Sequence, residues 1–352
     1  MRRRIAFLLV MVMLLSMFAG CGANKNADSK DADKEAELKM CLIVTGGALG
    51  DQANNDGLYN GMKKYADEQS LAFDAVELAE VSDIEMTVRT MVADGYNLFV
   101  FNSADAADLM DILCPDFPNV KFVMFNGTNN GGYDNLTNIT TDVAGAAFMC
   151  GIFGSLMNEE LTGEKKCGYI GGVRNPNLER ARYGMQAGAM LVGGELNAAY
   201  VGSFTDAAVA KEIAQQMHRE GIRIIQAWAG GANKGVFEAA ETAGEGYYSM
   251  GAATGQYHMS DTIIASLMTD LEGVTYDISK RAKEGTLEPG VYEASVLNGL
   301  MDCVYAPDER ADVIPEEITE KMQEYRQKLI DGELFAPTTE EEFNNFVAEF
   351  ID

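Results

Sequence analysis

Short apolar runs alternate with longer amphipathic segments along the chain after residue 39, and this alternation limits the possible folds more than any other feature. Runs 41–44 and 71–78 have the length and composition of buried strands. Between them, segment 55–68 places Leu58 and Met62 on one helical face. Strands that alternate with helices predict parallel sheets covered by helices on both faces, an α/β fold.

The alternation falls into two halves, which predicts two lobes. A chain of 352 residues is also long for one ordinary hydrophobic core. The first half is expected to end at residue 141, after an irregular segment 126–141 that is rich in Asn, Gly and Thr. The second half then repeats the strand and helix pattern from residue 142.

The first 20 residues have the pattern of a secretory signal peptide. Three arginines precede an apolar run, 5–18, which is too short for a comfortable membrane span. The F-A-G-C sequence that follows resembles a bacterial lipobox, in which Cys21 would carry the lipid. Segment 21–38 is small, polar and charged, as in a flexible linker. We therefore expect a lipid-anchored protein on the extracytoplasmic face of the cell membrane; the alternative is an ordinary cleaved signal without lipid.

Acidic residues outnumber basic ones by 54 to 27, giving a formal net charge of −27. Nucleic acid is excluded as a partner on this ground, because its binding depends on Lys and Arg that replace counterions. Five further cysteines follow Cys21 without any C-x-x-C spacing, and most lie in apolar stretches. We interpret them as buried hydrophobic residues and expect no disulfide framework, metal site or cofactor.

The sequence lacks the motifs of the common enzyme classes. It contains no P-loop, no G-x-S-x-G, no H-E-x-x-H, and no G-x-G-x-x-G after a strand. The two histidines have no obvious catalytic partner: His218 is expected to be solvated at the end of a helix, and His258 lies among loop residues. The sequence therefore favours a protein that is not an enzyme.

Polar loops follow most of the predicted strands, where α/β sheets bind their ligands. Their Gly, Asn, Ser, Thr and Asp content is typical of a cleft for a small polar molecule. The candidate ligand-binding residues are Asp51, Asn54, Asn55, Ser103, Asn126, Phe204, Asp206, Trp228, Asn233, Thr254 and Gln256. Helix capping is the alternative for Ser103 and Asp206, and it is also the role expected of Asp105. Plain packing is the alternative to ligand stacking for Trp228 and Phe204.

Several of these segments resemble the basic membrane protein family, the substrate-binding lipoproteins of nucleoside ABC importers. The resemblance is carried by T-G-G-A-L-G-D-Q-A-N-N-D-G-L-Y-N-G (45–61), K-C-G-Y-I-G-G (166–172), Y-V-G-S-F-T-D (200–206) and A-G-G-A-N-K-G (229–235). It implies the two-lobed fold of periplasmic binding proteins of type I, with three crossovers. The implied lobes are 39–141 plus about 252–290 and 142–251 plus about 291–352, with one helix over 260–284.

The resemblance also implies an ABC permease and ATPase as partners and a purine nucleoside or related base as ligand. Several charged side chains of the family are missing, since Gly46, Asn126, Ala253, Gly255 and Thr269 stand in their places. We therefore expect a nearly neutral pocket that binds a neutral, flat ligand through amide and hydroxyl groups. A ligand sensor for a membrane receptor and a hydrolase are the alternatives to uptake.

Overall fold

The computed structural model describes residues 37–50, 54–127, 131–253 and 255–351. The predicted signal peptide, Cys21, most of the predicted linker and the candidate residues Asp51 and Thr254 lie outside the described residues. Within the described ranges, every helix is too short or too polar to span a bilayer.

Strands and helices alternate as the sequence predicts. The strands are β1 (Lys39–Thr45), β2 (Ala72–Leu78), β3 (Leu98–Phe101), β4 (Lys121–Phe125), β5 (Leu136–Thr141), β6 (Lys166–Gly171), β7 (Glu195–Tyr200), β8 (Ile224–Trp228), β9 (Tyr248–Ala253), β10 (Ile263–Thr269), β11 (Gly290–Ala294) and β12 (Met301–Tyr305). The helices are α1 (Asn54–Gln69), α2 (Ile84–Ala93), α3 (Met110–Asp116), α4 (Val143–Thr162), α5 (Pro176–Leu191), α6 (Ala207–Arg219), α7 (Asn233–Ala243), α8 (Leu271–Glu284), α9 (Glu316–Ile330) and α10 (Glu340–Phe350).

The strands form two six-stranded sheets, one for each lobe. The first has the order β11-β5-β4-β3-β1-β2, and all of its strands are parallel. The second has the order β12-β10-β9-β8-β6-β7, and only its edge strand β12 runs antiparallel to its neighbour.

Each sheet has a hydrophobic core on both faces. In the first lobe, α1 and α8 pack on one face of the sheet and α2 and α3 on the other. In the second lobe, α4, α5, α9 and α10 cover one face, and α6 and α7 cover the opposite face. This arrangement confirms the predicted α/β fold with helices on both faces of each sheet.

The chain passes between the two sheets three times, and the three crossings are joined by backbone hydrogen bonds. They lie at Asp142, at Asp270 and over 295–300. The Asp142 N–H donates to Ala294 O and the Asp270 N–H to Leu300 O, each over 2.8 Å. Each aspartate side chain also accepts a hydrogen bond from the N–H three residues later, which caps α4 and α8 at their first turns.

The lobe boundaries differ from the expected ones. Residues 263–269 form β10, which pairs with β9 in the second sheet, so 260–284 is not one helix. Conversely, β11 belongs to the first sheet. The short apolar run at Ile263–Ile264 is compatible with either a strand or a buried helix, which periodicity alone cannot separate.

In each lobe, two helices approach so closely that their backbones touch. A Cβ added at Gly184 or Gly188 of α5 would lie 2.2 or 2.0 Å from a carbonyl oxygen of α4. A Cβ at Gly61 of α1 would likewise lie 2.1 Å from the Glu272 carbonyl oxygen of α8. Glycine is required at these three positions because any side chain would push the helices apart.

The predicted burial of the cysteines agrees with the structure, whereas the predicted exposure of His218 does not. The five described cysteines are free and buried, as expected. His218, however, is buried rather than solvated, with 9% of its surface exposed. Its ring packs edge-on against Tyr247 with centroids 4.7 Å apart, and neither ring nitrogen has a hydrogen-bond partner among the described residues.

Candidate functional site

Loops at the carboxyl ends of β1, β3 and β4 bring a group of polar side chains together on the first lobe. In parallel sheets this edge is the usual ligand-binding edge. We call this group the first half-site; it consists of Thr45, Asn55, Asn102, Ser103, Asp105 and Asn126.

Asn102 is the organising residue of the first half-site. Its Oδ1 accepts a hydrogen bond from the Thr45 N–H over 2.9 Å, and its Nδ2 donates to Thr45 O over 3.0 Å. The same Nδ2 donates to Asn55 Oδ1 over 2.9 Å. These bonds fix the loop after β1 against the loop after β3, so the Asn102 amide serves to position its neighbours.

The two predicted asparagines at the start of α1 have different environments. Asn55 is buried, and besides its bond to Asn102 its Nδ2 donates to Ala48 O over 3.2 Å. Asn54, the first residue of the helix, is exposed. The side chain of Asn55 therefore braces the loop, whereas Asn54 is accessible to a ligand.

Three side-chain oxygen groups gather beside this brace. Thr45 Oγ1 lies 3.4 Å from Ser103 Oγ and donates to Asp105 Oδ2 over 3.5 Å. Ser103 Oγ also accepts a hydrogen bond from the Asp105 N–H over 3.2 Å, so it caps the short helical turn that follows β3. Ser103 therefore caps the turn, as the alternative interpretation expects, but capping uses only its oxygen as an acceptor. Its hydroxyl hydrogen can still be donated.

Asn126 completes the first half-site at the carboxyl end of β4. It is exposed and has a φ of +56°, in the left-handed region that asparagine tolerates better than most residues. Its N–H donates to Ile139 O over 2.8 Å, which holds the turn to the neighbouring strand β5.

A second group of side chains lies at the carboxyl edge of the second sheet. We call Phe204, Trp228, Asn233 and Gln256 the second half-site. Phe204 is 42% exposed, and its ring lies against the backbone of Gly172, where an added Cβ would be 2.3 Å from Cδ1. Its carbonyl oxygen accepts a hydrogen bond from the Ala232 N–H over 3.1 Å. One part of the Phe204 ring therefore packs on the backbone of Gly172, and the rest of the ring is exposed to solvent.

Trp228 has a different environment. It ends β8 and is partly buried against the core that the second sheet forms with α4 and α5. Its carbonyl oxygen accepts a hydrogen bond from the Gly172 N–H over 3.1 Å, linking the ends of β8 and β6. Of the two predicted aromatic residues, Phe204 is thus the more available for stacking on a ligand.

Asn233 and Gln256 form one hydrogen-bonded unit. Asn233 is buried; its Oδ1 accepts from the Ala229 N–H over 2.5 Å and its Nδ2 donates to Gln256 Oε1 over 3.1 Å. The same oxygen of Gln256 accepts from the Ala252 N–H, also over 3.1 Å. These bonds leave the Nε2 group of Gln256 free to donate, since it donates to no residue among those described.

Backbone conformation adds to the evidence for a functional loop after β9. Ala253 and Gln256 have φ values of +58° and +57°, and neither residue is a glycine. Left-handed conformations of such residues are unfavourable by roughly 1 kcal/mol or more and cluster at functional sites. The Asn233–Gln256 unit holds Gln256 in this conformation.

The remaining predicted residue, Asp206, caps α6. It is exposed, and its Oδ1 accepts a hydrogen bond from the Val209 N–H over 3.1 Å. Sequence reasoning missed Thr45, Asn102 and Asp105, although all three lie at strand ends that it singled out. Within the described ranges, no three His, Cys, Asp or Glu side chains converge as metal ligands would.

Comparison with known proteins identifies the family. Residues 39–340 match the Bmp family model, described as ABC transporter substrate-binding protein, PnrA-like. Basic membrane protein A of Borreliella burgdorferi is 25% identical over 98% of this chain and 99% of its own length.

Solved structures share the fold at lower identity. An ABC transporter solute-binding protein from Aeropyrum pernix superposes with a TM-score of 0.66 at 21% identity, over 89% of this chain and 97% of its own. One from Conexibacter woesei gives a TM-score of 0.69 at 20% identity, over 86% and 99% of the two chains. The resemblance noted in the sequence is confirmed: the chain belongs to the Bmp family of PnrA-like ABC transporter substrate-binding proteins.

Proposed function

We propose that this protein captures a nucleoside-like solute between its two half-sites on the extracytoplasmic face of the membrane and presents it to an ABC permease. The family is one of substrate-binding proteins rather than enzymes. The observation that carries the ligand class is Phe204: a supported, 42% exposed ring suits stacking on a flat base. The amide and hydroxyl groups of the first half-site suit the polar part of such a ligand.

The crossings supply the means of capture. All three leave the carboxyl ends of strands, and two of them carry hydrogen bonds to the third. A ligand that contacts both half-sites binds the closed arrangement better than the open one, and this difference in affinity shifts the equilibrium toward closure. ATP hydrolysis is assigned to a separate partner subunit of the transporter.

The ligand class can be tested by thermal denaturation. Adenosine, guanosine or inosine is expected to raise the melting temperature in a concentration-dependent way, because a solute that binds only the native state stabilises it by mass action. Phe204→Ala should weaken binding by about tenfold through the loss of ring stacking and apolar contact. Phe204→Tyr should retain the affinity, since it keeps the ring.

Met86→Ala is the control for that measurement, because Met86 is also apolar, is 76% exposed on α2 and belongs to neither half-site. It should leave nucleoside binding unchanged. A panel of nucleosides, nucleobases, sugars and amino acids without a single stabilising compound would contradict the proposal.

We propose lipid anchoring through Cys21 on the strength of the F-A-G-C sequence alone. Cys21→Ala should release the protein from the membrane fraction, since a lipid on this residue would be its anchor. The measurement is the distribution between membrane and soluble fractions, with Cys41→Ala as a cysteine control inside the folded part of the chain. Membrane association that survives Cys21→Ala would contradict anchoring at this residue.

A further inference from the structure

We infer that Cys150 and Cys303 are a site of reversible oxidation, at which a disulfide forms between helix α4 and the edge strand β12 of the second lobe. The structure holds both residues as free thiols, which is the reduced form of this pair. The inference rests on the proposed extracytoplasmic location, because disulfides form and persist outside the reducing cytosol.

The two thiols are neighbours in the core, although their residues are far apart in the sequence. The Cys150 thiol lies within hydrogen-bonding reach of the Cys303 thiol. Both side chains belong to the core that the second sheet forms with α4, and 0% and 2% of their surfaces are exposed. A sulfur–sulfur bond therefore needs only a small approach of two side chains that already meet.

The backbones of α4 and β12 are also close. Some of their Cα atoms lie within 8 Å of each other, and a disulfide spans about 4 to 7 Å between Cα atoms. Near the two cysteines, the rings of Phe153 on α4 and Tyr305 on β12 pack with their centroids 5.4 Å apart. The helix therefore packs against the strand at two successive levels, and the cysteines form one of them.

The other described cysteines are placed less favourably for pairing. Cys41 and Cys114 lie in a core of the first lobe, where neither contacts another described thiol. Cys167 shares the core of Cys150, but its sulfur accepts a hydrogen bond from Ser155 Oγ over 3.6 Å. The structure therefore favours one pair among the five thiols.

Oxidation of the pair transfers two electrons and two protons to a second disulfide, that of glutathione or of a thiol oxidoreductase. One thiolate of the pair attacks this disulfide, which gives a mixed disulfide and one released thiol. The other cysteine then attacks the mixed disulfide, which forms the Cys150–Cys303 bond and releases the second thiol. Burial and the neighbouring Cys303 thiol raise the pKa of the Cys150 thiol. Exchange is therefore slow in the closed fold and proceeds while β12 is detached from the core.

The bond joins two elements that begin at crossings between the lobes. Helix α4 follows the crossing at Asp142, and β12 follows the crossing over 295–300. Strand β12 is also an edge strand that pairs with β10 alone. The disulfide holds β12 on the second lobe without bridging the two lobes, so ligand binding should be the same in both redox forms.

Refolding of the full-length protein in a mixture of reduced and oxidised glutathione tests the inference. Free thiols are then blocked with N-ethylmaleimide under denaturing conditions, and the peptides are mapped by mass spectrometry without reduction. We expect Cys41, Cys114 and Cys167 to be labelled and the peptides of Cys150 and Cys303 to be joined. The oxidised protein should unfold at a urea concentration about 1 M higher than the reduced protein, because the cross-link restricts the unfolded chain.

Cys167→Ala is the matched control, because it removes a buried cysteine from the same core and leaves the pair intact. It should keep both the disulfide and the shift in urea. Cys150→Ala and Cys303→Ala should each abolish both, and circular dichroism establishes whether each variant is folded. The peptide map of the wild type decides the inference even if one of these variants does not fold.

The outcomes separate this inference from the proposed function. Labelling of all five cysteines after Cys21 in the wild type, or a disulfide between any other two of them, would overturn the inference, whichever solute the protein binds. A joined Cys150–Cys303 pair in a protein that no nucleoside stabilises would support the inference and contradict the proposed ligand class.

Discussion

Gly188→Ala is expected to lower the free energy of unfolding by about 3 kcal/mol, even though alanine is the better helix former. The new Cβ would lie 2.0 Å from the carbonyl oxygen of Phe148 and 2.8 Å from its carbonyl carbon. Both atoms belong to the backbone of α4, so no side chain can move aside to relieve the contact. Helix propensity alone would make the alanine variant more stable by about 1 kcal/mol. A loss of stability would therefore show that the steric overlap with α4 outweighs helix propensity.

Urea denaturation followed by circular dichroism measures this difference. Asn177→Ala, at an exposed position of the same helix, is the control and should change the free energy of unfolding by less than about 0.5 kcal/mol. A Gly188→Ala protein that is as stable as the wild type would show that α4 and α5 can separate at little cost. The close packing of the two helices would then be a weak constraint.

Acid is expected to destabilise the wild type more than His218→Phe, with a difference of about 3 kcal/mol at pH 4. Burial, assisted by the nearby positive charge of Arg223, lowers the pKa of His218 from 6.5 to about 4. Between these two pH values the unfolded chain binds a proton that the folded protein excludes. The stability present above about pH 6.5 is therefore lost progressively as the pH falls, until both states are protonated below about pH 4.

The exposed His258 is the only other histidine in the sequence and provides the control. The free energy of unfolding of His258→Phe should follow that of the wild type from pH 7 to pH 4. At pH 7, His218→Phe should be at least as stable as the wild type, because it removes a buried ring whose nitrogens find no hydrogen-bond partner in the described part of the chain. Equal acid sensitivity of the wild type and His218→Phe would show that the folded protein admits the proton.

Local periodicity in the sequence is enough to predict most of the strands and helices. It does not predict a strand whose formation depends on contacts with residues distant along the chain. Strand β5 lies in segment 126–141, for which the Asn, Gly and Thr content predicts irregular structure, yet Thr137 and Asn138 in this strand are only 3% and 1% exposed. Contacts distant in sequence explain this burial, since Thr137 Oγ1 donates to Glu288 O over 2.8 Å. The edge strands β11 and β12 are also not predicted from the sequence, because their pairing depends on neighbouring strands that are distant along the chain.

The location of the candidate site follows from the sequence, but the roles of its residues do not. Polar loops after strands are visible in the one-dimensional pattern, and the structure places them at the carboxyl edges of both sheets. Whether an asparagine side chain is buried or exposed depends on the hydrogen-bond partner that the fold brings near it. Asn55 and Asn233 turn inward to bind Asn102 and Gln256, whereas Asp105, passed over as a helix cap, is exposed.

The interleaving of the two lobes along the chain has a consequence for the order of folding. One face of the first sheet is covered by α1 together with α8, and the sheet itself is completed by β11, so this lobe needs residues as late as 294. A chain that emerges amino end first would expose that apolar face while most of the second lobe is still being delivered. We therefore expect that 39–141 alone is not a folding unit, and that a chaperone or the delayed release of the chain protects this surface until the last crossings have formed.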